Sequence, residues 1–150
     1  MITKGEEQRA HLIMKLRGQG IRSASVLSAI ESVPRDIFIE NALKNHAWEN
    51  VTLPIGEGQT ISQPYIVALM TTALNLSGKE IVLEIGTGSG YQASILSLLC
   101  RRVYTIERIK TLHEFSNKKF KELKLNNITT KFGNGSLGWP EVSPFDRIIL

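Results

Sequence analysis

The segment Ile81-Val82-Leu83-Glu84-Ile85-Gly86-Thr87-Gly88-Ser89-Gly90-Tyr91 decides the fold. Its first five residues form a near-continuous apolar run, the pattern of a parallel strand covered on both faces. Glycines follow at alternate positions, and Gly86 and Gly88 allow a sharp turn and a close backbone approach to a ligand. A helical pattern starts at Tyr91, so the glycines link a strand to a helix whose first N–H groups lack partners. Roughly 20 residues on, at the end of the next apolar run, stands Glu107, where an acid bonds ribose hydroxyls in nucleotide-binding sheets.

Working outward, strand patterns at 81–85, 103–107, 127–132 and 146–150 alternate with helical patterns at 91–99 and 111–125. In the second helix Leu112, Phe115, Phe120 and Leu123 fall on roughly one side. The alternation predicts an α/β fold with a doubly wound, mostly parallel sheet and right-handed crossovers. Ser77-Gly78-Lys79 reads as the turn that opens this part. Upstream the chain reads as helical. Residues 5–17 place Ala10, Ile13, Met14 and Leu16 on one face, and Gly18 and Gly20 end that helix. Ser23 suits the N-cap of a second helix with the stripe Val26, Leu27 and Ile30. Pro34 opens a third, short helix. The expected organisation is a helical region with a Gly-rich loop over 1–76 and a nucleotide-binding half over 77–150, in one structural domain. The sequence stops inside the apolar run Ile148-Ile149-Leu150. A bare parallel edge invites aggregation, so the sheet is expected to be incomplete in a truncated chain.

Composition narrows the function classes. Apolar residues make up 42% and charged residues 21% of 150, as in an ordinary globular domain. No apolar run nears the roughly 20 residues of a membrane span, and residues 1–8 lack the apolar core of a secretory signal. The net charge of +4 is scattered, with Arg101-Arg102 and Lys118-Lys119 the only adjacent basic pairs, so no nucleic-acid partner is expected. Cys100 is the sole cysteine, which fits a reducing cytosol, and it reads as a core residue. His11, His46 and His113 show no ligand spacing, so no metal is expected. Trp48 and Trp139 read as packing residues. Asp146 either faces the site or caps a turn.

A glycine turn followed by an acid serves both NAD and S-adenosylmethionine (AdoMet). Two details favour AdoMet. The spacing is G-x-G-x-G with Tyr91 where a dinucleotide fingerprint needs a small residue, and Glu84 would repel a pyrophosphate but suit a cationic group.

Two longer stretches are then telling: Leu53-Pro54-Ile55-Gly56-Glu57-Gly58-Gln59-Thr60-Ile61-Ser62-Gln63-Pro64-Tyr65, and Val82 through Gln92. Both resemble signature segments of the protein-L-isoaspartate O-methyltransferases, as do Val33-Pro34-Arg35 with Phe38 and the region leading to Ala47-Trp48-Glu49-Asn50. The resemblance runs through essentially the whole chain. It implies a Rossmann-like AdoMet-dependent methyltransferase fold with an N-terminal helical extension. It implies methyl transfer to the free carboxylate of isoaspartyl peptides and proteins, starting their repair in the cytoplasm, by a monomer if the chain is complete. On this basis Ser62 and Thr60 are the candidate catalytic residues. Gln59 and Ile61 complete a loop over AdoMet. Glu84, Gly86, Thr87 and Gly88 belong to the cofactor turn, Glu107 with Arg108 to the ribose, and Gly133 and Asn134 to the adenine. Asn134 departs from the acid that the family carries there. It keeps an acceptor oxygen without the charge, a loss on the order of 1 kcal/mol.

An isoaspartyl α-carboxylate is ionised at neutral pH, since such groups titrate near 3.3–3.7. It needs alignment rather than a base, so Ser62 is expected to position substrate, and its hydroxyl also suits a helix N-cap before Pro64. Asn134-Gly135 is a sequence prone to deamidation. The alternatives are an inactive remnant that binds AdoMet weakly or not at all, a methyltransferase of another substrate class, and, more distantly, a dehydrogenase.

Overall fold

The computed structural model describes residues 1–150, which divide into two compact units, Met1–Asn75 and Leu76–Leu150.

In the first unit, α1 (Lys4–Gly18) begins with a capping box. Thr3 Oγ1 accepts from the Glu6 N–H at 3.2 Å, and Glu6 Oε2 accepts from the Thr3 N–H at 2.7 Å. Its buried stripe is Leu12, Ile13 and Leu16. The expected face was rotated: Ala10 is exposed, and Met14 is 68% exposed. The stripe at i, i+3, i+4, i+7 starts instead at Arg9, whose guanidinium lies 4.4 Å from the Trp48 ring centre. An aliphatic stem with a stacked head fills a place that a hydrophobicity pattern assigns to an apolar residue. Helix α2 (Ala24–Ser32) has Ser23 as its N-cap, accepting from the Val26 N–H, and buries Val26, Leu27, Ala29 and Ile30. Short 3₁₀ turns follow at Arg35–Phe38, after Pro34, and at Asn41–His46.

The Gly-rich loop is a β-hairpin. Strands β1 (Leu53–Gly56) and β2 (Gln59–Ile61) pair antiparallel through Glu57 and Gly58, both at positive φ (55° and 67°). That is the turn type whose twist matches paired strands. Helix α3 (Pro64–Ala73) follows.

The second unit holds a four-stranded, wholly parallel sheet of β3 (Ile81–Ile85), β4 (Arg102–Glu107), β5 (Ile128–Phe132) and β6 (Arg147–Ile149) in the order β5-β4-β3-β6. Helices α4 (Tyr91–Ser97) and α5 (Lys110–Glu122) make the crossovers and pack on β4 and β5. The chain runs outward from β3 to β5 and returns to the other side of β3, so the order switches at β3, where open α/β sheets bind ligands. Asp146 sits at the opposite end: its Oδ2 accepts from the Ile81 N–H at 2.8 Å and its own N–H donates to the Ile81 carbonyl. It registers β6 against β3 and lies away from the strand tips. Trp139 packs edge-on to Tyr104, and Cys100 is a buried thiol pushed up to about 11 by desolvation. No helix is long and apolar enough to cross a membrane.

Candidate functional site

At the C-terminal tip of β3 the chain turns through Gly86, Gly88 and Gly90, at φ 91°, 56° and 92°. The glycines do different work. Nothing lies within 4 Å of the place where a Cβ on Gly86 would stand, so the backbone there faces open space. A Cβ on Gly90 would meet Phe120 Cε1 at 2.9 Å and Ser116 Cβ at 3.0 Å, so Gly90 lets α5 approach the start of α4.

Glu107, 5% exposed at the tip of β4, accepts with Oε2 from the Gly88 N–H at 2.8 Å and with Oε1 from the Ile109 N–H at 2.9 Å. One carboxylate thus ties the glycine turn to the segment after β4. Arg108 beside it is exposed. From β5, the Gly133 N–H donates to the Glu107 carbonyl at 2.9 Å. Gly135 sits so close to β3 that a Cβ on it would lie 2.4 Å from Ile85 Cγ2. Gly86, Gly88, Glu107, Gly133 and Asn134 therefore converge at the tips of β3, β4 and β5. Asn134 is exposed, and its Oδ1 accepts from the Ser136 N–H at 3.0 Å, leaving one lone pair for any further donor.

Two expectations for this region change. Thr87 is 4% exposed and committed within the protein. Its N–H donates to the Ile106 carbonyl, its own carbonyl accepts from the Gly90 N–H, and its hydroxyl pairs with Thr105 Oγ1 at 2.6 Å. It shapes the turn and presents no polar group outward. Glu84, 3% exposed, accepts from Thr105 Oγ1 at 2.6 Å. Burial pushes its carboxyl up to about 8, opposed by the Thr105 hydrogen bond and reinforced by the charge of Glu107. Desolvation therefore favours the neutral acid over the standing negative charge that its residue type suggested. Thr105, which links both residues, was missed from sequence because a threonine inside a strand reads only as a strand former.

The hairpin of the first unit carries the other candidates. Gln59, Thr60 and Ser62 are exposed, while Ile61 is 2% exposed and turned into the core, so its side chain is not a ligand contact. The N-cap expected of Ser62 is not formed. Gln63 holds that position without a side-chain bond, and the Tyr65 N–H is satisfied by Asn50 Oδ1 at 2.9 Å. The Ser62 hydroxyl is thereby spared for other work. Its backbone is anchored, since the buried Arg35 donates from Nη2 to the carbonyls of Ser62 at 3.0 Å and Val51 at 3.3 Å. Arg35 and Asn50 lie 27 and 15 residues from their partners, beyond any local pattern.

Similarities to known proteins agree with this geometry. A sequence from Parvibaculum lavamentivorans named protein-L-isoaspartate O-methyltransferase is 56% identical over 147 residues, covering 98% of this chain and 66% of that protein. A solved structure of a protein-L-isoaspartate O-methyltransferase superposes with TM-score 0.85 at 28% identity, over 94% of this chain and 47% of that one. A Plasmodium falciparum structure of the same description, in complex with S-adenosyl-L-homocysteine, matches in fold with TM-score 0.77 at 24% identity, over 93% of this chain and 71% of that one. The chain thus spans about two thirds of the length of its named sequence relative. The family model for protein-L-isoaspartate (D-aspartate) O-methyltransferases matches residues 7–150, and the chain is a member of that family.

Proposed function

We propose that this chain carries the cofactor-binding and substrate-positioning residues of an AdoMet-dependent protein-L-isoaspartate O-methyltransferase. Its substrates would be isoaspartyl peptides and damaged proteins in the cytosol. The observation that carries the reading is the Gly86–Gly90 turn tied by its Gly88 N–H to Glu107, in a chain matching the family over 7–150.

The residues fit AdoMet. Each Glu107 oxygen has accepted a single hydrogen bond, so both can still accept from ribose hydroxyls. The open space at Gly86 admits a ligand against bare backbone. Asn134 retains acceptor capacity for an adenine amine, with Gly133 and Arg108 at the border. When bound, AdoMet supplies a sulfonium-bound methyl group as the electrophile. The Plasmodium falciparum relative with its bound S-adenosyl-L-homocysteine supports the same cofactor class here.

The nucleophile is the substrate's own carboxylate, already ionised, so the protein's task is orientation, a term that can lower a barrier by roughly 7–11 kcal/mol at best. The hydroxyls of Thr60 and Ser62 hold that carboxylate. A hydroxyl orients the anion without quenching it, where a lysine or arginine would bind it harder and lower its reactivity. The anchoring of the Ser62 backbone by Arg35 gives this hydroxyl a fixed origin.

Titration calorimetry with AdoMet and transfer of labelled methyl to an isoaspartyl peptide test the reading. Ser62→Ala should leave the urea midpoint unchanged and lower kcat/KM by roughly 10- to 150-fold, the range for a hydrogen bond to a charged group. Unchanged kinetics in that variant would remove the positioning role.

A further inference from the structure

Glu84 and Thr105 are cross-strand partners in the parallel register of β3 and β4, and Ile149 of β6 flanks Glu84 on its other side. The Glu84 carboxyl is buried and takes one side-chain hydrogen bond, from Thr105 Oγ1 at 2.6 Å. Thr105 Oγ1 pairs in turn with Thr87 Oγ1 at 2.6 Å. Thr87 belongs to the glycine turn, and the next residue, Gly88, donates its N–H to Glu107. Two acids therefore brace one turn: Glu107 directly, and Glu84 through a line of two hydroxyls. The one charged group acting on Glu84 is Glu107, of like sign, and its neighbour on β6 is apolar.

A line of hydroxyls ending in a carboxyl group can run in two senses. When Glu84 is a carboxylate it only accepts, so Thr105 donates to it and Thr87 donates to Thr105. When Glu84 is protonated, its O–H can donate to Thr105, Thr105 to Thr87, and the Thr87 hydrogen must find an acceptor elsewhere in the turn. The two states present the turn with opposite hydroxyl polarity and differ by one charge on a buried side chain.

We propose that Glu84 is a positioning residue for the glycine turn, acting through Thr105 and Thr87, and that it gives up its proton when the cationic methionyl end of AdoMet occupies the site. This rests on the cofactor reading above. On binding, the Glu84 O–H bond breaks, the proton passes to buffer, and the carboxylate left behind offsets the incoming positive charge. Desolvation holds the empty protein in the protonated state near neutral pH. Occupation by a cation reverses that preference, and the linkage is reciprocal: AdoMet affinity rises with pH.

The test is calorimetry of AdoMet binding at pH 7 in two buffers of different ionisation enthalpy, repeated from pH 6 to 8.5. The expected result is close to one proton released per AdoMet and an affinity that gains up to about tenfold per pH unit before levelling. Glu84→Gln should bind AdoMet without that proton release, its pH profile keeping only the titration of the ligand's own α-amino group at about 7.7–8.0. A second readout needs no ligand. A carboxyl raised from 4.5 to about 8 contributes stability that is fully present below pH 4.5 and lost as pH rises from there to 8, and Glu84→Gln should remove that slope. Binding without proton release and with pH-independent affinity overturns the proposal while leaving the cofactor reading intact. Absence of AdoMet binding at every pH overturns both.

Discussion

Replacing Gly90 with alanine separates the two reasons for a glycine in the cofactor turn. The residue has φ 92°, which an L side chain rarely adopts, at a penalty of about 1–2 kcal/mol. The added Cβ would also stand 2.9 Å from Phe120 Cε1, 3.0 Å from Phe120 Cζ and 3.0 Å from Ser116 Cβ. Phe120 and Ser116 are themselves buried, so neither ring nor helix can yield freely, and overpacking of this kind adds about 1–3 kcal/mol. The lower entropy of an unfolded alanine offsets about 0.4–1 kcal/mol. The net loss is roughly 2–4 kcal/mol, read as a lowered urea midpoint at unchanged slope. Gly86→Ala is the internal control. It has φ 91° and no atom within 4 Å of its Cβ, so it bears the backbone penalty alone, about 1 kcal/mol after the entropy offset. Phe120→Leu combined with Gly90→Ala should recover part of the packing loss as a coupling term. Equal losses for Gly90→Ala and Gly86→Ala would refute the assignment of Gly90 to helix packing.

Other outcomes follow from particular contacts. Asn50→Ala should destabilise by about 1 kcal/mol in urea unfolding, because the Tyr65 N–H at the start of α3 loses its cap; no change would mean that water replaces Asn50 without loss. The Glu80 carboxyl is held down at about 2 by hydrogen bonds from Ser77 and the Gly78 N–H. Its stabilisation is present above pH 4.5 and lost as pH falls toward 2, so Glu80→Gln should flatten the acid limb of a thermal-stability profile, and an unaltered limb would contradict this. Asn134 precedes Gly135 and is exposed, yet its Oδ1 is held by Ser136 and Gly135 is pressed on Ile85. Mass spectrometry of aged protein should show deamidation at this position more slowly than in a peptide spanning 131–138, and equal rates would show that the turn gives no protection.

Much of the fold was legible because its signals are local. The apolar run, the glycines and the placement of Glu107 are spaced by the geometry of one strand–helix–strand unit, which the chain must obey wherever it folds. The cap at Ser23 is equally local, closed within three residues. Local signals also misled. The face of α1 was rotated because Arg9 stacks on Trp48, a residue far along the chain that hydrophobic periodicity does not register. The loop around Gly56-Glu57-Gly58 is a hairpin because a positive φ at Glu57, unusual for that residue type, completes the turn.

What the sequence alone determined is the kind of chemistry: a parallel sheet, a glycine turn with an acid at the next strand tip, and a hydroxyl-bearing segment before it. Only the tertiary structure decided which of these groups are free and how they are charged. It spent Thr87 and Ile61 on the interior, transferred the capping of α3 from Ser62 to Asn50, and placed Thr105 against Glu84. The reason is physical. A residue's type sets its donors, acceptors and ordinary pKa, but burial and partners brought from distant strands set which of them remain available, and in what protonation state.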